Sequence, residues 1–371
     1  MSLAVELDHR RTRLLRRFLQ CGPAFLVAAS LIGCVDEPVR EPLVLRGTTM
    51  GTTWSGTIAT PGEGSLDESR QVALQAGIQR QLDSIVDQMS TWKPDSDLSR
   101  YNSAQAGTWI ALKPEFLAVL DQALKLARDS DGAYDPTVGP LVNLWGFGPD
   151  SARSEPPSRT EIQSTRRRVG WQRVTVDRTH SRVLQPGGIY LDLSSIAKGY
   201  AVDQVSEYLV AQGHTNTLVE IGGDFRARGH RGKDDGWRVA LERPGSGAEE
   251  RALQTNILDS TDVTTVLALS DRGLATSGDY RHRFEASGRE YSHHIDPRSG
   301  YPVEPAIASV SVVAATCAQA DPLGTTLIVM GPAAGMSWAT ERGIAALFVI
   351  REGAGFRRQA TPAFETAFGQ P

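Results

Sequence analysis

Glycine sets the terms for this chain. It supplies 36 of the 371 residues, and many stand in tight, turn-like clusters such as the Gly222–Gly223 pair inside "NTLVEIGGDFRARG". A glycine in a helix interior costs about 1 kcal/mol relative to alanine, which argues against a helical bundle and for a loop-rich mixture of helices and strands. The length suits one large domain or two smaller ones with a well-buried core. No repeat and no long linker interrupts it, so the chain reads as an α+β protein with one continuous functional core. The mild net charge of −4 gives no sign of the basic face that a nucleic-acid binder presents.

The N-terminal residues stand apart from that core. "RRTRLLRRF" is a basic stretch, and "CGPAFLVAASLIG" is an apolar one too short for a comfortable membrane span; together they read as a secretory signal. The signal ends in "LIGC", which is similar to a bacterial lipobox. That similarity implies cleavage before Cys34 and lipid on its thiol; a plain signal peptide cut nearby is the alternative. Residues 1–33 are then a signal peptide, 34–43 a lipidated polar tether and 44–371 the folded domain. Cys21 leaves with the signal and Cys34 carries lipid, so the mature domain keeps only Cys317 and can form no internal disulfide. Cys317 has no basic neighbour in sequence and reads as a small buried filler rather than a nucleophile.

Periodicity places the main elements. Leu74, Ile78, Leu82, Ile85 and Met89 keep helical spacing behind a Ser65–Glu68 capping box. "KPEFLAVLDQALKLARDSDG" is a second helix, with Pro114 early and Gly132 as its stop. "STWKPDSDLSRYN" reads as a turn-rich loop, the segment 151–168 as a polar surface excursion, and "AYDPTVGPLVNLWGFGPD" as irregular. "GIYLDLSSIAKGYAVDQVSEYLVAQG" is expected to run strand, turn, helix. "LVLRGTTMGTTWSGTIA", "NTLVEIGGDFRARG", "WRVALERP" and "IASVSVVAA" are strand-like, and a strand pair should close near Ala286–Arg289.

The chemistry gathers in "CAQADPLGTTLIVMG". As a helix it stacks Asp321 and Thr325 on one face and turns Leu323, Leu327 and Met330 to the core. A buried carboxylate costs several kcal/mol unless paired. A divalent cation such as Mg²⁺, which takes carboxylate, hydroxyl and carbonyl oxygens, would supply that pairing. Taken alone, the pair reads as a capping acid beside a threonine bonded to its own helix. Asp192 and Lys198, at the start of another helix, suit a phosphate, or else a capped helix with a solvated lysine. The acids in "DGAYDPTVG", "EIGGDFRARG" and "ATSGDY" sit in ordinary Gly-rich turns.

Several blocks in one order carry more than any one of them: "TTMGTTW", "MSTWKPDSDLSRYN", "GAYDPTVGPLVNLWGFG", "LDLSSIAKGYAVDQV", "LVEIGGDFRARG", "ATSGDYRHRF", "YSHHIDPRSGYP" and "TCAQADPLGTTLIVMG". From about Gly47 to Gly331 the chain resembles the ApbE-type flavin transferases, which move FMN from FAD onto a threonine of a target protein. The resemblance implies a mixed fold of antiparallel-rich sheets and flanking helices, with the FAD site in a central cleft. It implies that Met50, Trp92, Ala133, Tyr134, Asp135, Asp192, Lys198 and the backbone of Ile295 contact FAD. Mg²⁺ would be held by the Ser195 carbonyl, Asp321 and Thr325, and His293 would assist transfer. Trp92 stands where relatives often carry Tyr, and Ser195 where they carry Ala or Gly. Pro322, expected in a first helical turn, and Gly324 replace better helix formers. His294 replaces an apolar residue; strand alternation puts it opposite His293, whose spacing to Asp296 marks it as the base.

The partners implied are FAD, an acceptor protein with a flavinylated threonine (such as a respiratory electron-transfer subunit), and a membrane reached through the lipid on Cys34. The expected location is the periplasm-facing cell envelope. Two other readings use the same residues: an Mg²⁺-dependent FAD pyrophosphatase releasing FMN and AMP, and a non-enzymatic FAD-binding lipoprotein. A purely structural envelope lipoprotein is a third.

Overall fold

In the computed structural model the described residues are 41–59, 66–149, 153, 155–232, 236–243, 263–278, 283–286, 289–353 and 355–370. The leader, Cys21, Cys34, most of the tether and Ser65 lie outside them.

Strands β1 (Leu43–Thr49) and β2 (Thr52–Ile58) form a hairpin whose two-residue turn, Met50–Gly51, has positive φ at both positions. Such a turn matches the twist of the strands it joins. Helix α1 (Glu68–Met89) buries the predicted apolar stripe. Its N-cap is Asp67, whose carboxylate accepts the Arg70 N–H at 2.8 Å, so the helix starts later than a Ser65 cap would place it. α2 (Asp97–Ser103) occupies the segment expected to be loop; its cap, Ser96, accepts the Ser99 N–H, and Leu98 and Tyr101 anchor it in the core. β3 (Thr108–Ala111), α3 (Pro114–Asp129) and α4 (Gly139–Leu144) follow. α5 (Arg159–Arg166) lies within the polar excursion, held by a Ser158–Glu161 capping box and the buried Ile162. β4 (Thr175–Asp177) and β5 (Arg182–Gln185) complete a small sheet with β3.

Residues 189–193 alternate buried and half-buried as a strand would, yet among the described residues they pair with no strand. The Asn102 side chain takes its place. It accepts the Leu191 N–H at 2.7 Å and donates to the Leu191 carbonyl at 2.9 Å. α6 (Ser194–Ala211) runs on directly. β6 (Thr217–Ile221) and β7 (Asp224–Arg228) form a hairpin through Gly222–Gly223, both at positive φ. Next come β8 (Trp237–Glu242), β9 (Val263–Leu269), β10 (Gly273–Gly278), β11 (Arg283–Ala286), β12 (Arg289–Ser292) and β13 (Ile307–Ala314). The β11–β12 pair closes where the sequence placed it. α7 (Cys317–Met330), α8 (Pro332–Glu341), β14 (Ala345–Glu352), β15 (Gly355–Ala360) and α9 (Pro362–Phe368) end the chain.

The main sheet has the order β1-β2-β6-β7-β10-β13-β14-β15 and is antiparallel throughout. One face packs on α1, α3, α6 and α7, where Leu82, Phe116, Val205, Val310 and Leu327 share a core. The other is covered by the β8–β9 hairpin and α9, with Trp237, Leu267 and Phe364 against Leu274, Val313 and Leu347. Because both faces are covered, β13 is buried along almost its whole length, Ser309 and Ser311 included. The fold is the antiparallel-rich α+β architecture expected.

α7 departs from the expected pattern. Leu327 is buried, but Leu323 and Met330 are only half-buried, while Ala318, Asp321, Pro322, Thr326 and Val329 are covered. Packed against both α6 and the sheet, the helix has no single apolar stripe. Pro322 sits well inside it rather than in its first turn. Its ring removes the bond that the Ala318 carbonyl would accept; that carbonyl accepts instead from Gln122 Nε2 of α3 at 2.5 Å.

Candidate active site

A cleft of about 760 Å³ opens where the start of α6, the end of β10, the middle of α7 and the 293–295 segment meet. Trp92, Asp192, Ser195, Lys198, His293, Ile295, Asp321 and Thr325 all line it, drawn together from four separate stretches of chain.

Two glycines allow that convergence. A Cβ on Gly199 of α6 would lie 2.5 Å from the Cys317 carbonyl oxygen and 2.8 Å from Asp321 Cβ. A Cβ on Gly324 of α7 would lie 2.6 Å from Ser277 Oγ of β10. The helical penalty of Gly324 is thus offset by contact with the sheet. At the first crossing the Gly199 N–H donates to Asp321 Oδ2 at 2.9 Å. An α-helix directs that same amide at the Ser195 carbonyl, so the Asp321 carboxylate enters the helical turn that carries the Ser195 oxygen. Thr325 lies one turn further along α7, its Oγ1 3.5 Å from Ser277 Oγ.

The electrostatics of this wall are those of carboxylates short of cations. Asp321 is buried, and burial, then the charge of Asp224, push its carboxyl well above the usual range; Lys198 and the Gly199 N–H only partly oppose them. Lys198 Nζ lies 3.0 Å from Asp224 Oδ2 and donates to the Gly222 carbonyl at 3.1 Å. Burial works against its charge, but Asp224 and then Asp321 outweigh it and raise the ammonium's pKa. Asp224 itself is 1% exposed and accepts the Thr276 N–H at 3.3 Å. Sequence reasoning gave this residue no role: "IGGD" resembles any Gly-Asp turn, and only the packing of β7 against α6 reveals its partner.

Asp192 accepts from the Ser194 N–H and Oγ–H at 2.9 and 2.6 Å and so opens α6. Trp92, 69% exposed, stands at the rim. Ala133, Tyr134 and Asp135 are buried behind the wall rather than on it. Tyr134 Oη accepts from Ser195 Oγ at 3.3 Å, and burial raises the phenol's pKa. Asp135 accepts from the Thr137 N–H, the Thr137 hydroxyl and the Trp171 N–H, which fixes its loop. Met50, half-buried at its hairpin tip, is not among the lining residues. Cys317 is fully buried and its thiol is pushed well up by burial, as a filler's would be.

His293 and His294 do not point to opposite faces. β12 ends at Ser292, so strand alternation no longer applies, and both residues line the cleft with ring centroids 4.1 Å apart. Phe147 meets the His293 ring edge-on at 6.3 Å. The Asp296 carboxylate is engaged by Arg298 at 2.9 Å.

Among the described residues no three His, Cys, Asp or Glu side chains cluster as metal ligands. The donors that do converge are a carboxylate, a hydroxyl and the turn bearing a main-chain carbonyl. They are hard oxygens and fit Mg²⁺, which keeps waters and phosphate oxygens in its shell, better than a soft-ligand metal.

The ApbE family model matches residues 50–348. A protein of Vibrio cholerae described as FAD:protein FMN transferase is 39% identical over 337 residues, 90% of this chain and 95% of that protein. One of the same description from Escherichia coli K12 is 35% identical over 352 residues, 92% of this chain and 95% of its own length. The crystal structure of Pseudomonas stutzeri flavinyl transferase ApbE, apo form, superposes with a TM-score of 0.78 at 36% identity, covering 89% of this chain and 98% of that one.

Proposed function

The chain belongs to the ApbE family, and from that premise we propose that it is a FAD:protein FMN transferase whose reaction runs in the cleft between α6, α7 and β10. The observation that carries this reading is the convergence of Asp321, Thr325, Ser195, Lys198 and His293 on one cavity. FAD is the donor, and the acceptor is a threonine hydroxyl of a partner flavoprotein. The threonine oxygen forms a bond to the FMN-side phosphorus, the phosphoanhydride bond to AMP breaks, and FMN remains on the acceptor as a phosphoester.

Each residue has a distinct task. Lys198, fixed by Asp224 and the Gly222 carbonyl, presents its ammonium to the diphosphate. The α6 N-terminus, opened by Asp192, favours the same anion. Trp92 offers an exposed indole for the flavin ring to stack on. Tyr134 supports Ser195 from behind, Asp135 fixes the neighbouring loop through Thr137 and Trp171, and Ile295 lines the cleft beside the histidines. His293 takes the proton that the threonine hydroxyl loses as its oxygen bonds to phosphorus. Asp321, Thr325 and the Ser195 carbonyl would hold Mg²⁺, which when bound neutralises charge developing on the diphosphate oxygens. The lipobox-like end at Cys34 supports attachment to a membrane of the cell envelope, facing the periplasm.

Co-expression of the full chain with candidate acceptors, followed by intact-mass measurement, tests the reading. A mass gain of one FMN on the acceptor, lost with Thr→Ala at the modified site, is expected. Free FMN and AMP with an unmodified acceptor would make the protein a pyrophosphatase. FAD bound and left intact would make it a flavin-binding protein.

A further inference from the structure

The second histidine of "YSHHIDP" is the buried polar group that the reaction as described leaves unused. His294 is 6% exposed, and its Nε2 is buried with no hydrogen-bond partner among the described residues. Its backbone is held on both sides: the N–H donates to Ser292 Oγ at 3.2 Å, and the carbonyl accepts the Val303 N–H at 2.9 Å. The ring packs against His293 and, like it, lines the cleft beside Thr276, Ser277 and Gly278 of β10. Burial, then the neighbouring His293, push its pKa well below the usual histidine value, against a hydrogen bond to the Gly278 backbone. A neutral ring of this kind is a poor holder of a proton but a good hydrogen-bonding group.

A buried polar atom without a partner is costly, and native structures rarely keep one for nothing. The ring lines the cleft, so a ligand seated there is the candidate partner. We propose that His294 is a substrate-binding residue: through Nε2 its ring hydrogen-bonds a polar atom of the flavin nucleotide in the cleft, while His293 alone handles the threonine proton. The division of labour rests on the flavin-transfer reading. It also gives the histidine pair two different jobs, although the two rings touch and line one cavity.

The test compares His294→Leu, His294→Gln and His294→Asn in the full-length protein. FAD affinity is read by quenching of flavin fluorescence, and the pH dependence of transfer is followed alongside. A glutamine amide reaches the position of Nε2, whereas an asparagine amide reaches only that of Nδ1. The expected result is that Leu and Asn weaken FAD binding about 3- to 12-fold, the worth of one net hydrogen bond, while Gln restores most of it. The midpoint of the pH–rate profile stays at the wild-type value in all three, because His293 sets it. If Leu does not fold, the Gln–Asn difference carries the comparison. Equal losses in all three variants would assign His294 to packing, and wild-type affinity in the Leu variant would remove it from the site. A shifted pH midpoint with unchanged affinity would make His294 the base. Each of these overturns the proposal while leaving flavin transfer intact. A wild-type protein that binds no FAD would overturn the functional reading itself.

Discussion

Substituting Gly199 by alanine strikes the point where two helices cross and the candidate metal site is assembled. By helix propensity alone the change would stabilise α6 by about 1 kcal/mol. The structure reverses that sign. The new methyl carbon would lie 2.5 Å from the Cys317 carbonyl oxygen, 2.8 Å from the Cys317 carbonyl carbon and 2.8 Å from Asp321 Cβ. Comfortable carbon–carbon contacts lie near 3.5–4.0 Å, so α7 must retreat by roughly 1 Å. Its backbone, not a flexible side-chain tip, is in the way. Overpacking of this kind costs about 1–3 kcal/mol, and losing the Gly199–Asp321 hydrogen bond adds about 1 kcal/mol. The net expectation is a loss of about 2 kcal/mol, read as a lower urea midpoint with unchanged slope. The same retreat draws Asp321 away from the Ser195 turn. Mg²⁺ tolerates little change from its short metal–oxygen distances, so Mg²⁺ affinity, measured by calorimetry with FAD present, should fall by at least about tenfold. A variant as stable as wild type, with undiminished Mg²⁺ affinity, would refute the claim that this crossing builds the site.

Three other outcomes are expected. Asp321→Ala should abolish FMN transfer and weaken Mg²⁺ binding; retained Mg²⁺-dependent transfer, followed by acceptor mass, would remove Asp321 from the metal site. Lys198→Ala should raise the KM for FAD about tenfold to a hundredfold, the worth of a hydrogen bond to a charged group; an unchanged KM would mean the ammonium serves only Asp224. His294 has a folded-state pKa below its usual 6.5. As pH falls through 6.5 the unfolded chain binds the proton first, so stability is lost progressively until the folded-state ring also protonates. Urea titrations at pH 7.5 and pH 5 should therefore show a smaller drop for His294→Gln than for wild type; equal drops would refute the assignment.

What was legible in the chain was local. The stripe from Leu74 to Met89, the Pro114 start and Gly132 stop of α3, the closure of the β11–β12 pair and the strand character of β13 each announce themselves within one turn or one strand. Ser158 and Glu161 form a capping box as plain as any, yet α5 lies in so polar a segment that only the burial of Ile162 makes it worth forming. What was illegible depended on distant partners. Pro322 is tolerated mid-helix because Gln122 accepts the role of hydrogen-bond donor to the Ala318 carbonyl. Leu191 needs no strand beside it because Asn102 supplies both bonds. Asp224 matters only because β7 brings it to Lys198. The histidine pair does not alternate because both residues lie past the end of β12. The resemblance supplied the rest of the cleft wall, along with Ala133, Tyr134 and Asp135, which the fold sets one layer back.

The most direct measurement is an anomalous-scattering map from crystals grown with FAD and Mn²⁺, an ion that shares the hard-oxygen preference of Mg²⁺. A manganese peak bounded by the Asp321 carboxylate, the Thr325 hydroxyl, the Ser195 carbonyl and the FAD diphosphate, with the Lys198 ammonium alongside, is the predicted result. A diphosphate ordered outside this cleft, or a metal peak remote from Asp321, would contradict it.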